Sequence, residues 1–141
     1  MRKFGNKQFF ILSIVCFVAS LFFEGFATET SSSIGLECLI SGLFGLLFGE
    51  GLEWLANPLL FIAWIFCFMK LRSLTAFSSA SAILLMLTFL RTHSIIVNEA
   101  GGVQPIIRVG AGYWLWVVSA ILCLVAALVR AVKKDDLKVE K

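Results

Sequence analysis

Hydrophobic residues along the chain are grouped into four long runs that polar stretches separate. The runs cover residues 9–27, 55–71, 74–91 and 112–130. An α-helix rises about 1.5 Å per residue, so each run forms a helix of roughly 26 to 28 Å, close to the thickness of the hydrocarbon layer of a membrane. The pattern therefore predicts an all-α integral membrane protein with four transmembrane helices in an antiparallel bundle.

A shorter apolar segment, residues 34–49, lies between the first and second runs. At helical spacing its small residues fall on one face. We call them the glycine face: Gly35, Cys38, Gly42, Gly45 and Gly49. The segment is too short for a full crossing and contains Glu37, so it predicts a re-entrant or interfacial helix, with Ser33 as its N-cap. A face of this kind lets another backbone approach closely, as helices do in membranes.

Small and polar residues also recur at helical spacing within two of the predicted spans. In the last span, Ser119, Cys123 and Ala127 repeat every four residues and predict a second close-packing face. The first span carries a polar face of four residues: Ser13, Cys16, Ser20 and Glu24. Polar groups are costly against lipid, so this face is predicted to point at other helices.

Composition agrees with a membrane protein and with a single transmembrane domain over residues 1–130. Hydrophobic residues make up 60% of the chain, charged residues only 15%, and the mean hydropathy is +0.95, well above a soluble domain. The net charge of +3 sits at segment ends rather than in one basic patch, which argues against nucleic acid. Residues 131–141 form a charged tail that need not fold.

The distribution of charge predicts the orientation. Ten of the twelve basic residues fall at the N-terminus, in the 70–73 turn or from residue 130 onward. By the positive-inside rule both termini are cytoplasmic, and the bacterial inner membrane is the default location. A five-span arrangement, with residues 34–50 crossing fully, would break this asymmetry. Residues 1–27 also fit a cleaved signal peptide, since Gly25 and Ala27 give a small-x-small pattern, and removal would leave three spans in the same orientation.

Six polar residues are predicted on the outer side, where they form a candidate site: Glu24, Glu37, Glu53, Arg91, His93 and Arg108. Clustered carboxylates there could bind a cation or relay protons, and either arginine could pair with a carboxylate. The plainer interpretation is ordinary charges at the level of the lipid headgroups. His93 has no second histidine or cysteine near it, and the four cysteines lie far apart, so no metal site is predicted.

These patterns predict a protein without enzymatic activity or a cofactor, because no catalytic or phosphate-binding motif appears. The first hypothesis is helix–helix association, either as a homo-oligomer or as an accessory subunit of an envelope complex. The second is a small transporter or ion-conducting protein that uses the outer carboxylates and arginine. The third is an immunity protein against a pore-forming toxin. The expected partners are the lipid bilayer and another membrane protein or a second copy of the chain.

Overall fold

The computed structural model describes residues 6–47, 51–96 and 102–139. Within these ranges the chain is mostly helical, with a small antiparallel sheet. The elements are α1 (Asn6–Ser20), β1 (Glu24–Thr28), β2 (Ser32–Ile34), α2 (Gly35–Leu47), α3 (Ala56–Phe68), α4 (Arg72–Thr88), β3 (Ser94–Ile96), β4 (Val103–Val109) and α5 (Ala111–Val139). Two 3₁₀ turns, Leu52–Leu55 and Phe89–Arg91, precede α3 and follow α4.

Two helical segments are long and apolar enough to cross a membrane, Arg72–Arg91 and Ala111–Val129. Helix α1 and the segment Leu52–Phe68 are apolar but shorter. The coarse prediction, a mostly helical protein with apolar helices of spanning length, is thus supported for two of the four runs. Buried helices of soluble proteins can have the same length and composition. The packing of the helices is therefore needed to decide how many of them span a membrane.

Helices α1, α3, α4 and α5 pack side by side as a four-helix bundle. Helix α5 packs along both α1 and α4, and α4 packs along α3. Helices α1 and α3 also meet through aromatic rings: the ring of Phe17 contacts the rings of Phe61 and Trp64 edge-on, each at 5.3 Å between centroids. The tight turn between α3 and α4 passes through Lys70, which has a φ of 66°.

Many small residues lie inside the bundle, beside the buried Leu60 and Met86, and many large apolar residues lie outside. The fully buried positions of the bundle include four alanines and three serines: Ala56, Ala63, Ala82, Ala120, Ser13, Ser79 and Ser119. In contrast, Phe68 is 80% exposed and Phe77 is 72% exposed, and each of the four helices presents several large apolar side chains outward. Soluble domains bury such residues. Small and hydroxyl residues between helices are typical of membrane bundles.

A four-stranded sheet, which the sequence patterns did not predict, covers one end of the bundle, here called the sheet end. The strand order is β2-β1-β4-β3 with antiparallel neighbours. The first predicted span is consequently wrong at its end: the helix stops at Ser20, and Glu24–Thr28 is a strand that pairs with β4. The sheet could not be predicted from the sequence because β1 and β4 are about eighty residues apart and no hairpin motif joins them.

Three other boundaries differ from the predictions. Helix α3 ends at Phe68, three residues before the end of the predicted run 55–71. Helix α5 continues to Val139, so the predicted tail is helical over most of its length. Ser33 lies in β2 rather than capping α2. Instead, the Glu37 carboxylate accepts a hydrogen bond from the Ile34 amide at 3.1 Å, as the third residue of a helix does in a capping box.

Candidate functional site

A pocket of about 620 Å³ lies at the sheet end, where the ends of the bundle helices meet the sheet and α2. This volume falls within the range of about 300 to 1,000 Å³ that is usual for small-molecule sites. Its walls are mostly apolar or glycine. They come from α1, β1, α2, the turn before α3, the turn after α4, β3, β4 and α5, so the pocket depends on the whole sheet end.

The glycine face of α2 forms one wall of this pocket and also contacts the rest of the chain. Gly35, Cys38, Gly42 and Gly45 line the pocket, while Gly49 lies outside the described residues. A Cβ atom on Gly35 would overlap the carbonyl oxygen of Ser20, and one on Gly42 would lie 2.5 Å from Cδ1 of Trp54. The glycines at 35 and 42 therefore permit close packing inside the molecule.

Hydrogen bonds attach α2 to the rest of the molecule at two points. The amides of Gly35 and Leu36 donate to the carbonyl oxygens of Phe23 and Leu21, at 2.9 and 3.0 Å. These amides belong to the first turn of α2, which has no partners within its own helix. Further along, Nε1 of Trp54 donates to the carbonyl oxygen of Leu39 at 2.7 Å. Helix α2 is thus attached at its start and its middle.

Asn57 connects the pocket to the bundle. Its side chain is 95% buried, since only 5% is exposed. Its Nδ2 donates to the carbonyl oxygen of Trp54 at 3.1 Å, and its Oδ1 accepts from Nε1 of Trp116 at 2.9 Å. Tyr113 is also buried and donates to the carbonyl oxygen of Met86 at 3.0 Å. Trp116 and Tyr113 therefore point inward, whereas Trp114 is 48% exposed.

The six predicted polar residues are not gathered into one site. Arg108 and Glu24 form an ion pair of 2.9 Å between β4 and β1, and Glu37 caps its own helix as described above. Arg91 and His93 are exposed near the end of α4. Glu53 is the member that lines the pocket, where its Oε1 accepts from the Thr92 hydroxyl at 2.9 Å.

The second predicted packing face, Ser119, Cys123 and Ala127, is buried in the bundle. The hydroxyl of Ser13 donates to the carbonyl oxygen of Ser119 at 2.6 Å and accepts from Nε1 of Trp64 at 2.9 Å. This chain joins α1, α3 and α5. Trp64 and Asn57 were missed as polar contacts because nothing in their spacing distinguishes them from ordinary residues of an apolar run.

Within residues 6–47, 51–96 and 102–139, no group of three or more histidine, cysteine or carboxylate side chains is placed to hold a metal ion. None of the four cysteines takes part in a disulfide bond. Comparison with protein-family models, with curated proteins and with solved structures finds no match for this chain. What the fold defines is a class: a mostly helical protein with two candidate membrane-spanning helices and a small sheet over one end of its bundle.

Cys38 provides a chemical test of the pocket wall. Burial raises the pKa of its thiol to about 11, and the negative charge of Glu37 contributes in the same direction. In a variant that retains only this cysteine, we expect the rate of alkylation to rise about tenfold per pH unit from pH 7 to about 10, because the thiolate is the nucleophile. Samples quenched at successive times and analysed by mass spectrometry give the rate of alkylation. A plateau near pH 9, as for an exposed thiol, would contradict this environment.

Proposed function

We propose that the protein is a four-span integral membrane protein in which α1, α3, α4 and α5 cross the bilayer. The arrangement of small residues inside and large apolar residues outside supports this, because it suits lipid and not water. Two spans are short, but apolar surface continues past their ends. Phe22 and Phe23 follow α1 and are 72% and 52% exposed, and Leu52, before α3, is 62% exposed.

In this proposal the sheet end faces away from the cytoplasm. The connection from α1 to α3, at the sheet end, carries the three carboxylates of the candidate site, whereas the opposite end includes the basic turn at Lys70 and Arg72. The positive-inside rule then places both termini in the cytoplasm. Helix α1 is retained in the proposal, because it packs along α5 and leads into β1, which pairs on both sides.

A labelling experiment tests this orientation. In a background without other cysteines, the Glu29→Cys variant should react with a membrane-impermeant maleimide that is added to cells. The outer envelope of these cells is opened beforehand, and the membrane that holds the protein stays closed. The Ser73→Cys variant should react only after lysis, since residues 29 and 73 are both exposed but lie at opposite ends of the bundle. Intact mass of the purified chain checks that residues 1–27 are present. The reverse labelling pattern, or a mass that lacks α1, would contradict the proposal.

The function that we propose first is non-enzymatic: association with another membrane protein, or with a second copy, through the outer face of α2. The observation that carries it is a row of exposed apolar side chains opposite the glycine face: Leu36, Ile40, Leu43 and Phe44. The glycine face holds α2 against the molecule, so this row is presented on a fixed support. Proteins often recognise one another through an exposed apolar face of a helix.

Site-specific cross-linking tests this association in the native membrane. A photo-reactive residue at Ile40, which is 54% exposed, should give one discrete protein adduct. The same residue at Phe77, on the lipid-facing side of α4, should give none. The mass of the adduct distinguishes a second copy from a different subunit, and Phe44→Asp, a change at a 57% exposed residue of the same row, should abolish the adduct without lowering the thermal stability. Absence of any protein adduct at Ile40 would contradict this function.

A second candidate function is favoured by the pocket: binding, or transport, of a small molecule at the outer end of the bundle. The pocket has the volume of a ligand site and contains Glu53, one of the outer carboxylates predicted for a transporter. Immunity to a toxin would use the same outer surface with a toxin as the partner, and no particular contact favours it over a resident membrane partner.

A further inference from the structure

The polar side chains that line the pocket at the sheet end differ in whether they can make further hydrogen bonds. Most polar side chains that line it are already engaged: Asn57, Trp116 and Trp54 bond to one another's side chains or to the backbone, and the Ser20 hydroxyl donates to the carbonyl oxygen of Phe17 at 2.6 Å. The Tyr113 hydroxyl is likewise used. Such walls offer an entering molecule apolar contact and few new hydrogen bonds.

Glu53 differs from the other lining residues. Within the part of the chain that the structure describes, Glu53 is the one charged residue that lines the pocket, and no lysine or arginine lines it. One carboxylate oxygen accepts from Thr92, and an ionised carboxylate can accept several further hydrogen bonds. The two arginines of the candidate site stand elsewhere, Arg108 in its ion pair with Glu24 and Arg91 at the exposed end of its turn.

We propose that the pocket binds a single-chain amphiphile whose head group is neutral or cationic and donates hydrogen bonds, such as a long-chain alcohol or amine. The apolar walls formed by Phe17, Leu39 and Phe89 would cover the chain, and Glu53 would receive the head. An anionic head is disfavoured because it would meet a carboxylate without a compensating cation. This inference rests on the second candidate function and is independent of association through α2.

Tryptophan fluorescence tests the proposal, because Trp54 and Trp116 line the pocket. The protein, with Trp114→Phe to remove the exposed indole, is reconstituted in phosphatidylcholine nanodiscs. It is titrated with a brominated long-chain primary amine, and with the alcohol and the carboxylate of the same chain. At about pH 8 the amine is protonated and the carboxylate ionised. We expect saturable quenching by the amine and the alcohol, and at least about tenfold weaker binding of the carboxylate.

Two variants separate the pocket from simple partition into lipid. Gly45→Leu adds bulk to the wall and should remove the saturable quenching, whereas Ile40→Leu, on the opposite face of α2, should retain it. If Gly45→Leu does not fold, Ser94→Leu fills the pocket from β3 instead. Glu53→Gln keeps an acceptor for Thr92 and should bring amine and carboxylate within about threefold of each other.

Each outcome decides the proposal. Quenching that never saturates, or that is equal in the filled variant, shows partition into lipid only and overturns the pocket as a ligand site. A carboxylate that binds as tightly as the amine, or an amine preference that persists in Glu53→Gln, overturns the assignment of the head group. Failure of cross-linking at Ile40 would leave these results unchanged, so this inference and the association proposal fail separately.

Discussion

Replacing Gly35 with alanine should lower the free energy of unfolding by about 3 kcal/mol, because the added methyl group would meet backbone atoms of another element. The added Cβ would overlap the carbonyl oxygen of Ser20 and lie 2.9 Å from its carbonyl carbon. These are backbone atoms at the end of α1, so they cannot rotate away as a side chain would. Overpacking ordinarily costs about 1 to 3 kcal/mol, and a backbone neighbour puts this case at the upper end.

The same substitution should also weaken the attachment of α2. The amides of Gly35 and Leu36 donate to carbonyl oxygens that follow α1, and any movement that relieves the overlap lengthens those bonds. Thermal unfolding in mild detergent, followed by tryptophan fluorescence, measures the effect. The control is Leu36→Ala at the next residue, whose side chain is 42% exposed and should cost less than about 1 kcal/mol. Equal stability of the two variants would contradict the packing of α2 on α1.

Runs of apolar residues predicted the positions of the helices because the inward-facing and outward-facing positions of these helices are both largely apolar. The segment 34–49 was identified as a short helix from its glycine spacing, and α2 occupies Gly35–Leu47. Helix α4 and its following turn match the predicted span 74–91 closely. Runs of apolar residues carry this information locally, so long-range contacts are not needed to read it.

The sheet could not be predicted in this way, since its strands are short and pair across the whole chain. Glu24–Thr28 was assigned to the first span because Gly25, Phe26 and Ala27 continue the apolar run. In the structure Phe26 is opposite Val109 and Ala27 is opposite Arg108. Strands of three to seven residues leave little periodicity, and their register depends on the bundle bringing α1 and α5 together.

Partners of the charged residues were equally beyond the sequence. Charge asymmetry predicted the six outer residues as a group, and an arginine–carboxylate pair was one of the options. The structure selects Arg108 with Glu24 because β4 and β1 are neighbours in the sheet. It places Glu37 at the start of its own helix and Glu53 in the pocket. Each outcome depends on strand order and helix boundaries that no local motif encodes.

Asn57 shows how a polar residue inside an apolar run can join two parts of the molecule. It lies in the first turn of α3 and connects Trp54, which supports α2, to Trp116 on α5. Helix α2, the pocket wall and the bundle therefore share one buried amide. A change at this amide should be felt both in stability and in the shape of the pocket.

Replacing Asn57 with leucine should lower the free energy of unfolding by about 1 to 3 kcal/mol. The leucine has similar size but no acceptor, so Nε1 of Trp116 loses its partner at a partly buried position, and a donor left without a partner there carries a desolvation cost. Chemical or thermal unfolding in detergent gives the change in stability. Nε1 of Trp116 should also exchange its hydrogen faster, which the indole resonance in an NMR spectrum reports.

A double-mutant cycle isolates this hydrogen bond from the loss of shape. Trp116→Phe removes the donor, so Asn57→Leu should be less damaging in that background than in the original protein, by about 1 kcal/mol. Trp114→Phe is the matched control, because Trp114 is 48% exposed and no hydrogen bond of its indole to Asn57 is present. Additive effects of Asn57→Leu and Trp116→Phe would mean that the amide and the indole contribute separately. The connection between the pocket and α5 would then rest on packing alone.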